Sequence, residues 1–156
     1  MADISAFPTI SNPLYTGSNT ITLTASGTIK AGQVVAFDAT GVSKTVRAAN
    51  AESGERPVGV AIHDAADGEP VTVATVGCIC YVANADDSTA IDAGDWLETN
   101  DNSVGGTVSA VDTSATGGAT VTVHDNVVGF AFEDIPGGGT GLAMILPGIH
   151  VQPNSS

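Results

Sequence analysis

Positive charge is scarce in this sequence. Four Lys and Arg side chains stand against 17 Asp and Glu in 156 residues, a formal net charge of −13. Four cations cannot neutralise a run of phosphates, so counterion-release binding to nucleic acid is excluded; the same shortage argues against docking on anionic membranes. No apolar run approaches the roughly 18 residues that a bilayer-spanning helix needs. The leader MADISAFPTISNPLYTGSN lacks the basic start and apolar stretch of a secretory signal. One soluble domain carrying an extended arm is expected, with neither nucleic acid nor membrane as partner. Acidity with few cations also tolerates high salt, which screens like charges within a few ångströms. A halophilic setting and an ordinary solubilising surface both fit it.

Aromatic residues make up 4% of the chain, and there are only two cysteines and five leucines. Cys78 and Cys80 flank Ile79 on one face of a strand-like run. They stand too far apart along it for easy bridging, and metal pairs usually have about two to four residues between them. Two buried small hydrophobes are expected. What is abundant is 18 Val, 18 Thr and 19 Gly, with 12 Asp against five Glu. Branched residues fit a pleated sheet, while Asp and Gly favour turns and disfavour helix interiors. The fold class is therefore all-β, a small barrel or tulip-like domain of short strands.

Alternation at Thr20 to Leu23, Val71 to Val76 and Thr120 to Val123 marks strands with one buried face. The nearly continuous runs at 34–37, 58–62, 127–132 and 142–146 read as strands covered on both faces. Turn clusters at 38–41, 67–68, 100–102 and 136–139 separate them. One helical turn at Ser88 to Ala93 is the only helix candidate.

The chain also repeats itself. Ala31-Gly32-Gln33-Val34-Val35, Pro57 to Asp64, Gly68, Val71 to Val73 and Gly77 recur as Ala93-Gly94-Asp95-Trp96-Leu97, Val127 to Asp134, Gly138, Leu142 to Met144 and Gly148. The first landmark recurs after 62 residues and the second after 70, leaving an insertion at about 100–118. A unit used twice is best explained by two half-barrels packed face to face, with pseudo-repeats at about 30–77 and 92–148. Gly32 and Gly94 then make turns into strands, and Gly59 and Gly129 mark bulges or close backbone approaches. The organisation expected is an extended arm at 1–18, a β-barrel domain at 19–150 and a flexible tail at 151–156. In the arm, Phe7, Pro8, Ile10, Leu14 and Tyr15 are spaced apolar residues in a polar leader, suited to docking on a neighbouring subunit.

No catalytic constellation emerges. His63, His124 and His150 are scattered, and without a nucleophile elbow or a two-His helix motif each reads as a solvated histidine beside a turn or strand end. Asp86, Asp87, Asp92, Asp95, Glu98 and Asp101 lack calcium-loop spacing. Pro136 to Gly141 lacks the Lys-Ser/Thr of a phosphate loop. The chain is therefore expected to be no enzyme and to carry no cofactor or metal site.

In Ile29-Lys30-Ala31-Gly32-Gln33-Val34-Val35, Pro57 to Ala61, Asp67-Gly68-Glu69-Pro70-Val71-Thr72-Val73 into Gly77, Ile91 to Leu97 and Val128 to Ala131, the chain resembles the head decoration, or capsid cement, proteins of tailed bacteriophages and related archaeal viruses. The resemblance spans residues 20–148. It implies a barrel or β-tulip on the outer surface of an assembled icosahedral head, bridging major capsid protein subunits, often as a homotrimer and with an amino-terminal arm over its neighbours. It further implies a virion protein made in the host cytoplasm, with Phe7, Pro8, Ile10, Leu14 and Tyr15 as the capsid-binding arm. The longer insertion and the acidic balance depart from that pattern. The contrasting reading is a carbohydrate- or receptor-binding β module, for which exposed aromatics are in short supply.

Overall fold

The computed structural model describes residues 7–37, 44–51, 55–85, 88–100, 104–111 and 122–152. The turn expected at 38–41, most of the insertion and the last four tail residues lie outside these. Eleven strands follow in order: β1 (Leu14–Thr16), β2 (Thr20–Ala25), β3 (Val34–Phe37), β4 (Thr45–Ala48), β5 (Pro57–Ala61), β6 (Pro70–Ala74), β7 (Ile79–Ala83), β8 (Trp96–Thr99), β9 (Val108–Ala110), β10 (Thr122–Ala131) and β11 (Thr140–Gln152). Among the described residues there is no helix. The turn expected at Ser88 to Ala93 is instead a strand bridge. Ile91 exchanges both backbone hydrogen bonds with Ile135, and Gly94 at φ +92° then turns the chain into β8.

The two repeats are one local structure written twice, down to single hydrogen bonds. Ile29 and Ala65 exchange backbone bonds as Ile91 and Ile135 do, all at 2.8 to 2.9 Å. Gly32 N–H donates to Ala61 O and Gly94 N–H to Ala131 O, both at 2.8 Å. Asp64 Oδ1 accepts from Ala31 N–H at 2.8 Å, and Asp134 Oδ1 from Ala93 N–H at 2.9 Å. Thr72 N–H donates to His63 Nε2 and Leu142 N–H to Glu133 Oε1, each at 3.0 Å. A side chain that fastens the returning strand is conserved in function between the halves although its chemistry differs.

Both halves have the same strand order. β2, β4, β3, β5 and β6 form a closed barrel, its seam the parallel pairing of Thr24 with Thr45 and Ala25 with Val46. The second sheet runs β1-β7-β11-β10-β8-β9, and its ends meet only at a parallel bridge between Asn84 and Val108. β1 occupies the start of the β7 edge through Leu14 opposite Cys80. The two repeated halves do pack on one another, but closure falls within the first repeat, a whole barrel rather than a half, and the second is a curled half-barrel sheet with the arm along its edge.

Glycine allows that curl. A Cβ on Gly59 would strike the backbone oxygen of Ala74, and one on Gly129 that of Met144, at equivalent places in the two repeats. Pairing registers shift beside both glycines, as at bulges that bend a strand. Two apolar clusters result. Leu23, Val35, Val46, Ala61, Val71 and Val73 fill the first barrel. A larger cluster joins the outer side of that barrel, at Val34, Val60 and Ala74, to the interior of the second sheet, at Val82, Leu97, Ile135 and Ala143. The apolar runs are covered on both faces only in part, because Phe37, Phe132 and Leu146 come out exposed where no second layer meets them. In the first barrel, fully buried Glu55 pairs with Arg47 at 3.0 Å and accepts from the N–H groups of Asn50 and Ala51.

The glycine contacts give a graded prediction. Gly59→Ala must displace backbone and should lower stability by about 3 kcal/mol. Gly68→Ala, at φ +81° with open space around the new carbon, should cost only about 1 kcal/mol. Urea midpoints at unchanged slope measure both; the reverse ranking would show that the strands do not approach so closely.

Candidate binding surface

Residues opposite one another in a sheet share a face, and here one such row is unusual. Phe130 of β10 lies opposite Trp96 of β8 and Met144 of β11, and Met144 lies opposite Ile79 of β7. The residues next in line, Leu97, Ala143 and Cys80, are buried, so the row points outward. The Trp96 and Phe130 rings meet edge to face at 5.8 Å. Farther along the same face, Tyr81 meets Tyr15 edge to face at 6.5 Å. Tyr15 is 62% exposed and Phe132, at the end of the row, 53%. Of four Phe, one Trp and two Tyr, only Phe7 is buried, and all but Phe37 lie on this second sheet, at its edge or in the arm.

The first repeat shows what this face does when covered. The positions equivalent to Trp96, Phe130 and Met144 are Val34, Val60 and Ala74, all fully buried against the second sheet. An outer row that is a fully buried internal contact in one half is enlarged and half-buried in the other. Contiguous outward apolar surface of this kind marks an interaction site.

The expected arm residues do come together, along the side of the domain. Phe7 is 6% exposed, Leu14 packs on the core, Pro8 and Ile10 are half-buried, and Tyr15 faces out beside Tyr81. Ile10 lies where a Cβ on Gly32 would be. Between arm and barrel is a cleft of about 520 Å³, lined by Phe7, Pro8, Ile10, Lys30, Ile62 and Asp64 among others. The backbone N–H of Ala31, more than the Lys30 ammonium at 3.4 Å, holds the Asp64 carboxyl below the ordinary carboxylate range.

Other candidates resolve differently. His63 is engaged rather than merely solvated: Thr72 N–H donates to its Nε2, which leaves Nδ1 to donate to Asp64 O at 2.9 Å. His124 and His150 are backbone partners in the β10–β11 ladder. Asp95 accepts from Asp92 N–H in the turn before β8. Asp86, Asp87 and Asp101 lie outside the described residues. Pro136 to Gly141 is the turn into β11, closed by Gly139 N–H donating to Pro136 O. Among the described residues, no three His, Cys, Asp or Glu side chains converge as a metal ion requires. Sequence reasoning missed the aromatic row, although the repeat carries its signal: small Val34, Val60 and Ala74 become large Trp96, Phe130 and Met144.

These features define a duplicated β-barrel protein with a row of large apolar side chains on the outer face of its second sheet. A family model described as phage cement protein matches residues 15–147. The chain belongs to that family, and so is a phage capsid-associated protein. No curated protein matches it. Among solved structures it is similar to the head fiber gp8.5 N base of bacteriophage phi29, with 20% identity and a TM-score of 0.54, covering 82% of this chain and 93% of that one. That likeness is one of fold.

The cysteines supply a check on how the arm sits. Cys78 and Cys80 are free and buried; Gly17 lies against Cys78, and Cys78 Sγ donates to Asn19 O at 3.4 Å. Burial, with Cys78 adding to it, pushes the Cys80 thiol up to about 12. A thiol with so raised a pKa is thiolate about once in 10⁴ at pH 8. Because both thiols are buried, iodoacetamide should leave them intact in the folded protein and modify both in urea; ready native labelling would mean that the arm leaves β7. Because folding raises the Cys80 pKa, its contribution is complete below the ordinary thiol range and lost as pH climbs toward 12, so stability should fall across that alkaline window.

Proposed function

We propose that the protein is a non-catalytic capsid decoration protein that binds the outer surface of the assembled icosahedral head and stabilises it by bridging major capsid protein subunits. It is made in the host cytoplasm and resides on the virion. The observation that carries this reading is the outward row Trp96, Phe130 and Met144, whose counterpart in the first repeat is a buried protein contact. Tyr15 extends the row onto the arm, so arm and sheet offer one continuous face. Membership of the phage cement family and a fold shared with a head fiber protein support the same reading. A shell binder needs no reactive site. Many copies, each binding only the assembled lattice, stabilise it by mass action and avidity.

Copies associate as homotrimers in this proposal. The end of the first barrel exposes Ile21 and Val76, and Ile21 stands where the second repeat has buried Cys80. Light scattering should give the mass of three chains, reduced by Ile21→Lys. The outward aromatics also favour a glycan-binding reading, but Trp96 and Phe130 meet edge to face and are half-buried, which leaves little flat ring surface for stacking a sugar.

The deciding experiment mixes purified protein with undecorated heads and images them. Wild type should add regular density, and a Tyr15→Ser, Phe130→Ser double variant with an intact urea transition should bind at least tenfold more weakly, as loss of aromatic anchors does. Absence of added density with wild type would sink the proposal.

A further inference from the structure

The duplicated fold carries the same shelf twice, and the described residues cover only one copy. In the first repeat, Lys30, Ala31, Gly32, Ile62, His63 and Asp64 form a shelf over which the arm lies, with Ile10 seated on Gly32. In the second repeat the equivalent residues are Asp92, Ala93, Gly94, Phe132, Glu133 and Asp134, held by the same hydrogen bonds from Gly94 to Ala131 and from Ala93 to Asp134. No described atom lies within 4 Å of the space above Gly94, and Phe132, where the first repeat has half-buried Ile62, is 53% exposed. Among the described residues no arm reaches this copy: the stretch before β7, which corresponds to the arm before β2, is itself strand β6.

The charges of the two shelves differ as well. The covered shelf balances Lys30 against Asp64 at 3.4 Å. The open one has Asp92 in place of the lysine, Glu133 in place of His63 and Asp134 in place of Asp64. Its residues still form the turn and the strand fastening, so the acids serve the fold, but the cation of the pair is gone.

We propose that the open shelf is a docking site for an extended segment of a partner shell protein that carries a branched aliphatic side chain next to a lysine or arginine. The aliphatic group sits on Gly94 against Phe132, as Ile10 sits on Gly32 near Ile62, and the cation meets Asp92 and Asp134, as Lys30 meets Asp64. The covered shelf shows how the seat is filled, and the acidic substitutions show which charge a newcomer must bring. A second copy's arm fits poorly, because no lysine or arginine stands next to its Ile10. The proposal rests on the capsid-binding reading and names which shelf receives the capsid segment.

The test uses undecorated heads and the full chain. Asp92→Lys restores the internal cation and Phe132→Ser removes the apolar wall; each should weaken head binding tenfold or more with an unchanged urea midpoint. Thr22→Lys, a positive charge on the exposed side of the first barrel, should leave it unchanged. Binding by wild type should also loosen as salt rises from about 50 to about 500 mM, as screening of exposed pairs requires. If wild type binds and both shelf variants bind equally well, the shelf is not the site, although the capsid reading stands. If the variants change self-association and not head binding, the occupant is a second copy and the proposal is wrong. If wild type does not bind heads, both readings fall.

Discussion

Close approach of two backbones, at Gly59 over Ala74 and at Gly129 over Met144, is the constraint on which the rest of this structure depends. A side-chain carbon at either place would collide with a carbonyl oxygen. The contact lets β5 and β10 bend sharply beside their partners, and sharp bending lets so few strands curl into a barrel. From the curl follow an interior just wide enough for Val, Ala, Leu and Ile, and an outer side free to pack on a neighbour. With larger residues at the glycines the same strands would form a flatter sheet, and the first repeat would lose the closure that joins Ala25 to Val46.

How much of this was legible in the sequence depended on whether the signal was local. Strand formation was, because Val and Thr alternate or run together between glycine turns. The duplication was also readable, since turns fixed by glycine at positive φ, as at Gly32 and Gly94, tolerate few replacements and keep their spacing. The misread turn at Ser88 to Ala93 had acceptable local composition, but Ile91 is held by Ile135, 44 residues farther on, and no local pattern reports that bond. The aromatic row was hidden for the same reason. Trp96, Phe130 and Met144 lie far apart in the chain and share a face only through register. Burial of the arm residues was likewise beyond reach, because Phe7 and Leu14 read the same whether they cover their own domain or another.

Duplication followed by divergence organises what remains. The hydrogen-bonded frame is kept nearly bond for bond, while differences gather at two surfaces. On one, Val34, Val60 and Ala74 become Trp96, Phe130 and Met144; on the other, Lys30 and His63 become Asp92 and Glu133. In each case the first-repeat surface is covered within the chain, by the second sheet or by the arm, and its second-repeat counterpart is open. On the proposed reading the internal contacts are templates for external ones, with the second repeat as the half that meets a neighbour.

The scarcity of positive charge bears on that asymmetry. Of four cations, Lys30 is engaged with Asp64 and Arg47 with Glu55, and Arg56 donates to a backbone oxygen. Little is left with which one copy could attract another electrostatically, so the proposed contact between copies through Ile21 is an apolar one. Attraction over the acidic shelf, as proposed, comes from charges on a different protein. A chain built this way resists pairing through its acids while free, yet offers them to a basic partner, and complementarity of this kind chooses partners more effectively than it adds raw affinity. In the proposed complex, affinity then rests with the aromatic row and selectivity with the shelf.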